Sequence, residues 1–167
     1  MSMNIKRIVN HLLMTAGRVN RAFPRSVLDE VEQMVAASEA QHTGEIRFIV
    51  EGGLDGSPLF QGQSARERAI DLFSHLRIWD TEDNSGLLIY LLLADRAVEI
   101  VADRGIAAKV NASEWTKICR QMEMAFRQSD FSRGAIGGLQ AVTQHLVAHF
   151  PADGRSGNEL PDQPVLL

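Results

Sequence analysis

The stretch Trp79–Gly105, "WDTEDNSGLLIYLLLADRAVEIVADRG", decides the fold. Its acidic head, Asp80, Glu82 and Asp83, runs into eight residues, Leu87–Ala94, that carry no charge. An apolar run without alternation reads as a strand covered on both faces, as at the centre of an α/β sheet. Asp95-Arg96 then makes a tight turn. Val98, Ile100 and Ala102 alternate with Glu99, Val101 and Asp103, the period-two pattern of a strand with one wetter face. The link is too short for a crossover, so the two strands form an antiparallel hairpin.

Working upstream, Ser64 and Glu67 form an S-x-x-E capping box. The helix that follows presents Ala69, Leu72, Phe73 and Leu76 on one face and ends near Trp79. Before it, "GGLDGSPLFQGQ" reads as a glycine-rich loop. Ile46–Val50, β-branched and aromatic, reads as the first strand. Val27, Leu28, Val31, Met34 and Val35 recur at helical spacing through about Ala40. Phe23-Pro24 breaks the chain ahead of that helix.

Downstream, Asn111 and Glu114 make a plausible cap pair. Trp115, Ile118, Cys119, Met122, Ala125 and Phe126 trace one helix face. Ile136, Leu139, Val142, Thr143, Leu146 and Val147 trace the last. Helix, strand, helix, strand, strand, helix, helix implies an α/β/α sandwich with a small mixed sheet, a βαβ unit plus the hairpin. Residues 24–150 form that domain. Residues 1–23 read as a basic N-terminal arm, with Ile5, Ile8, Val9, Leu12 and Leu13 at helical spacing. Residues 151–167, polar and holding three of the five prolines, read as a disordered tail.

A βαβ crossover is almost always right-handed and parallel, and the hairpin then reverses direction. The acidic loop Trp79–Gly86 and the segment Asp103–Asn111 are therefore expected at the same sheet edge. Asp80, Asp83, Asn84 and Asp103 become the candidate metal ligands, with Glu82 beside them. Carboxylate and amide oxygens suit a hard cation, Ca²⁺ or Mg²⁺. The competing reading is a polar loop with Asx turns, which Asp and Asn favour for local hydrogen-bonding reasons. The loop is not an EF-hand, because its sixth and twelfth positions are Ser85 and Leu91.

The net charge of -4 hides an asymmetry. Residues 1–25 carry Lys6, Arg7, Arg18, Arg21 and Arg25 and no acid, whereas residues 26–150 carry a net -7. Such an acidic body repels phosphate backbones, so no nucleic-acid partner is expected. The basic end could touch anionic lipid or an acidic partner, or be only a solvated helix. The longest apolar run is far below the ~20 residues needed to span a bilayer, and no signal peptide is evident, so a soluble cytoplasmic protein is expected. One cysteine, Cys119, allows no internal disulfide and reads as a small buried hydrophobe. His145 and His149 sit four apart without the glutamate or third ligand of a zinc site, and His75 also sits at a helix end. No phosphate-cradling glycine loop and no motif marking a serine nucleophile is present.

"TGEIRFIVE", "ARERAIDLFSHLRIWDTEDNSGLLIYLLLADRAVEIVADRGI" and "FRQSDFSRGAIGGLQAVTQHL" together resemble the TPM-domain family, which includes a thylakoid acid phosphatase linked to photosystem II repair. The resemblance implies an α/β/α sandwich and a divalent-cation site in acidic loops at one sheet edge. It maps that site onto Asp83, Asn84 and Gly86, with Gly105 as the glycine after the hairpin. Some members are phosphatases and others are accessory parts of membrane complexes. Ser85 intervenes where the family runs asparagine into glycine. Arg104 is placed where it could neutralise the acids instead of a cation. Two functions follow as expectations: a cation-binding domain with possible phosphatase activity, or a non-catalytic interaction module for a membrane-associated protein partner.

Overall fold

The computed structural model describes residues 4–155 and 157–167. Three short-range elements open the chain: α1 (Ile5–Leu12), α2 (Ala16–Ala22) and α3 (Arg25–Glu39). They lead into β1 (Glu45–Glu51), then α4 (Gly56–Phe60) and α5 (Ala65–His75). The hairpin is β2 (Gly86–Leu92) and β3 (Ala97–Ala102), joined by a 3-10 turn at Leu93–Asp95. The turn closes with Arg96 in the left-handed region, φ 50°. α6 (Arg104–Ala107), α7 (Ala112–Arg127), α8 (Phe131–His149) and β4 (Val165–Leu166) complete the chain.

The sheet is mixed, in the order β3-β2-β1-β4. β1 and β2 are parallel with Ile46 opposite Leu87, and β2 and β3 are antiparallel with Leu87 opposite Ala102. β2 is buried along its whole length, as a strand apolar on both faces must be. The alternating faces divide the core. Ile46, Phe48, Val50, Leu87, Ile89 and Leu91 pack with α3, α7 and α8. Ile49, Leu88, Tyr90, Leu92 and Val101 pack with Ala65, Ala69 and Leu72 of α5. Helices thus cover both faces, with α2, α3, α6, α7 and α8 contributing to one side and α1, α4 and α5 to the other.

Ser64 caps α5 in a full capping box, with its hydroxyl accepting from the Glu67 N–H and the Glu67 carboxylate accepting from the Ser64 N–H. Asn111 caps α7 through the Ser113 N–H at 2.9 Å, rather than through a reciprocal pair with Glu114.

Two expectations are corrected. The N-terminal arm is two helices, and it is docked on the domain. The tail is not disordered where it is described: Val165 and Leu166 pair in parallel with Ile49 and Val50, and Leu160 is buried. A fourth strand therefore covers the β1 edge that three strands would have left open, and a paired edge is no longer a template for aggregation. No described helix is long and apolar enough to cross a membrane.

Candidate functional site

The hairpin brings the acidic loop and the residues after β3 to one edge. The Asp103 N–H donates to the Gly86 carbonyl at 2.9 Å, and the Gly105 N–H donates to the Asn84 carbonyl at 3.0 Å. Asn84 is left-handed, φ 51°, a conformation that asparagine tolerates better than most residues. A β-carbon on Gly105 would sit 2.5 Å from the Asn84 carbonyl oxygen and 2.7 Å from that of Asp83. Only glycine lets the two segments approach this closely.

The side chains fare differently. Asp103 caps α6, its Oδ1 accepting from the Arg104 N–H at 2.7 Å. Its Oδ2 is buried and has no hydrogen-bond partner among the described residues. Asp83 meets Arg155 of the tail at 2.9 Å, and Arg155 also holds Asp153 at 2.7 Å. Asp80 is paired with Arg77 at 2.8 Å, both well exposed. Glu82 offers its N–H to the Glu159 carboxylate at 2.9 Å. Arg104 is exposed and makes no ion pair among the described residues. Two arginines therefore meet the acidic loop, Arg77 at Asp80 and Arg155 of the tail at Asp83, and neither is Arg104. Among the described residues, no three His, Cys, Asp or Glu side chains group as metal ligands.

Beside this edge the structure assembles acids that sequence spacing did not bring together. A cleft of about 490 Å³ is lined by Glu39, Glu45, Glu82, Asp83, Glu159 and Asp162, among others. Glu39 accepts from the Ile46 N–H at 2.7 Å, yet burial pushes its carboxyl up to about 9, aided by repulsion from Glu45 and Asp162. Glu45 is also raised by burial, although it accepts from the Leu160 and Glu159 N–H groups at 3.0 and 3.2 Å. Arg47, one residue pair further along β1, donates to the Pro161 and Gln163 carbonyls. The signal was present in "EIRFIVE": Glu45, Arg47 and Glu51 share one face at period two, and buried charges require partners.

A Ser–His pair also lies here. Ser38 Oγ is 2.7 Å from His42 Nε2. His42 Nδ1 accepts from the Gly44 N–H at 3.1 Å, so Nε2 carries the proton and donates to Ser38. Ser38 Oγ then meets Thr143 Oγ1 at 2.6 Å, and Thr143 donates to the Leu139 carbonyl at 2.7 Å. Burial drives the His42 imidazole down to about 4, which keeps it neutral. The chain of donors runs away from the histidine, and Ser38 is buried, so this pair is a strut between α3 and α8 rather than a base and its nucleophile. Cys119 is buried as expected, and burial pushes its thiol up to about 12. His145 meets the Trp115 ring edge-on and lies 3.8 Å from Glu114.

The opposite end of the sheet holds two closed polar networks that sequence reasoning missed. Glu51 accepts from Tyr90 Oη at 2.5 Å and from Arg68 at 2.8 and 2.9 Å. Burial and the Glu51 carboxylate together hold the Tyr90 phenol far above its ordinary value. At the hairpin turn, Asp95 accepts from Arg7 at 2.8 Å and from His11 Nε2 at 2.9 Å. His11 Nδ1 accepts from the Leu54 N–H at 2.8 Å, which fixes its tautomer.

With the sheet order, the hairpin and the loop approach at Gly105 established, comparison with known proteins becomes informative. Residues 20–145 match the TPM domain. The chain belongs to the TPM-domain family. A TPM fold also recurs in solved structures. The BA42 protein of the psychrophilic bacterium Bizionia argentinensis is 24% identical, with a TM-score of 0.74 over 84% of this chain and 92% of that one. The N-terminal domain of a protein from P. gingivalis is 18% identical, with a TM-score of 0.63 over 78% of this chain and 82% of that one. At these identities the likeness is one of fold. No curated protein matches the chain.

Proposed function

We propose that this TPM domain binds a divalent cation, Ca²⁺ or Mg²⁺, at the edge where Asp103 meets the Asp83-Asn84 loop. One observation carries the reading: Asp103 Oδ2 is a buried carboxylate oxygen without a hydrogen-bond partner among the described residues. A buried anionic oxygen left unpaired costs free energy, and a cation offsets it. Main-chain oxygens of Asp83 and Asn84 pack against Gly105 two residues on, and oxygen donors of this kind are what hard cations take. Few protein carboxylates then contribute, so water completes the coordination and affinity falls in the weak, millimolar range typical of sparse sites, roughly 10⁻⁴–10⁻³ M. Asp83 joins the set when it leaves Arg155, and Asp80 lies outside it, held by Arg77.

Phosphatase activity is a second reading. Exposed Arg104 beside Asp103 favours it, because a free guanidinium next to a cation is suited to a phosphate monoester. A bound cation supplies polarisation of a phosphoryl oxygen and a more acidic water.

Titration of the full chain with Ca²⁺ and Mg²⁺, followed by amide chemical shifts, tests the first reading. Shifts confined to 80–86 and 103–108, lost in Asp103→Asn, support it. Absence of shifts at millimolar cation refutes it. For the second reading, hydrolysis of p-nitrophenyl phosphate is compared between the wild type and Asp103→Asn. Activity that survives the substitution arises elsewhere.

A further inference from the structure

α1 docks with all of its apolar residues but Ile8 turned away from the core. At ~100° per residue, Ile5, Val9 and Leu12 fall on one stripe, with Leu13 at its margin. That stripe should face the core. Instead Ile5 is 68%, Leu12 62%, Leu13 52% and Val9 45% exposed. The flank carrying Arg7, Ile8 and His11 goes inward: His11 is buried, Arg7 and His11 grip Asp95 at the hairpin turn, and Ile8 packs on the core. Arg7 also donates to the Gln63 carbonyl at 2.7 Å. The polar contacts fix the roll of the helix, and so they hold the apolar stripe outward. Phe60 of α4, the helix packed beside α1, is 57% exposed as well.

The N-terminal segment that carries this stripe is charged with one sign, and exposed Asp55 at the start of α4 is the nearby acid. Residues 1–25 contain no acid. Asp95 occupies Arg7, but Lys6 on α1 and Arg18 and Arg21 on α2 are exposed, and none is in an ion pair among the described residues. The rest of the domain is net acidic. An anionic surface is therefore repelled by the net charge of the body and attracted by the N-terminal segment, which favours one orientation of approach. A short helix with an outward apolar stripe and a basic border is built to lie in the headgroup layer, its aliphatic side chains reaching ~5–10 Å below the phosphates.

From this we infer that α1 is a docking face for an anionic lipid surface. The helix has only eight residues, so the attachment is reversible and depends on both terms, apolar insertion and charge. It is independent of the cation edge, because α1 contacts the Asp95 turn at the other end of the hairpin.

Co-sedimentation of the full chain with vesicles tests it. Vesicles containing half phosphatidylglycerol should retain at least about tenfold more protein than pure phosphatidylcholine, and salt should weaken the binding. Ile5→Ser/Val9→Ser/Leu12→Ser should abolish it with an unchanged thermal midpoint, since all three side chains are exposed. Lys6→Gln/Arg18→Gln/Arg21→Gln should weaken it. A Leu12→Trp reporter should shift its emission to the blue with anionic vesicles only. Equal, absent or salt-insensitive retention on the two vesicle types overturns the inference, as does full retention by the serine variant or an unshifted reporter. A dimer in sedimentation velocity that the serine variant dissolves, without vesicle binding, also overturns it and assigns the stripe to a second copy of the chain.

Discussion

The two ends of the central strands treat their charged groups in opposite ways. Where β1 and β2 finish, the buried carboxylates are closed off, and the one orphan there among the described residues is the neutral amide oxygen Gln63 Oε1 beside Arg7. Glu51 is shared by Tyr90 and Arg68, and Asp95 by Arg7 and His11, whose second nitrogen takes the Leu54 N–H. Where the same strands begin, Glu39 and Glu45 are pushed toward their neutral forms by burial, and Asp103 keeps an unpaired buried oxygen. Closed networks of this kind rigidify a fold. Buried groups left short of partners point to a ligand or to a dependence on pH. The difference separates the structural end of the sheet from the end where a function is to be sought.

Breaking the closed end should have the largest effect. Glu51→Ala leaves the Tyr90 hydroxyl buried without its acceptor and removes the partner of Arg68. A loss of about 3 kcal/mol is expected, read by urea denaturation. Glu51→Gln keeps an acceptor for Tyr90 and should lose about 1 kcal/mol. Equal losses in the two variants would mean that packing, not the shared carboxylate, holds this end together.

Asp95→Ala comes next, at about 2 kcal/mol, because it frees α1 while Arg7 can still reach water. The same carboxylate carries a pH signature. Burial works to raise it, but the hydrogen bonds from Arg7 and His11 outweigh burial and hold it below the ordinary carboxylate range. Its contribution is therefore present above the unfolded value near 3.8 and is lost as pH falls through the lower folded value. Asp95→Ala should flatten the acid limb of the stability profile, and an unchanged acid limb would show that the Arg7 and His11 contacts are not formed in solution.

The open end responds to pH with the opposite sign. Glu39 is protonated in the fold up to about 9 but only to about 4.5 when unfolded. The folded state thus holds a proton that the unfolded state releases, and stability falls as pH rises across that window. Glu45 is shifted in the same direction, and Asp162 faces both, with Arg47 as the nearby cation. Glu39→Gln keeps an oxygen for the Ile46 N–H and removes the titration. It should match the wild type near pH 5 and exceed it increasingly toward pH 9. Parallel profiles would place the sensitivity on Glu45 instead.

The contrast also explains what could be read from the sequence. Strand assignments at β1, β2 and β3 were legible because burial on both faces or on one face leaves a local pattern in "EIRFIVE" and "GLLIYLLLADRAVEIVA". The approach of Asp103 to Gly86 followed from connectivity alone, since a hairpin must return to its starting edge. The partners within the networks at the closed end were not legible. Asp95 and Arg7 are 88 residues apart, and neither marks a partner by spacing. The tail was misread because composition reports only average polarity. Two residues of strand in a proline-rich segment leave no periodic trace, yet the Glu45 and Arg47 side chains bind that segment through its main chain. α1 was legible as an amphipathic helix, but its roll was not, because the grip of Arg7 and His11 on Asp95 leaves only Ile8 of its apolar residues against the core.

The smallest structural effect sharpens the open end most. Arg155 and Asp83 are both largely exposed, so Arg155→Ala should leave the unfolding midpoint unchanged. Its consequence for a cation is different. Arg155 places a positive charge 2.9 Å from Asp83 Oδ2, and a cation that uses Asp83 must displace it. Removing the guanidinium should therefore tighten Ca²⁺ binding by about threefold at low ionic strength, with less gain as salt screens the pair. If Arg155→Ala binds Ca²⁺ no better than the wild type while Asp103→Asn abolishes binding, Asp83 contributes its main-chain oxygen and not its carboxylate. The site then reduces to Asp103 and the backbone of the Asp83-Asn84 turn, which is the pair of segments that Gly105 brings together.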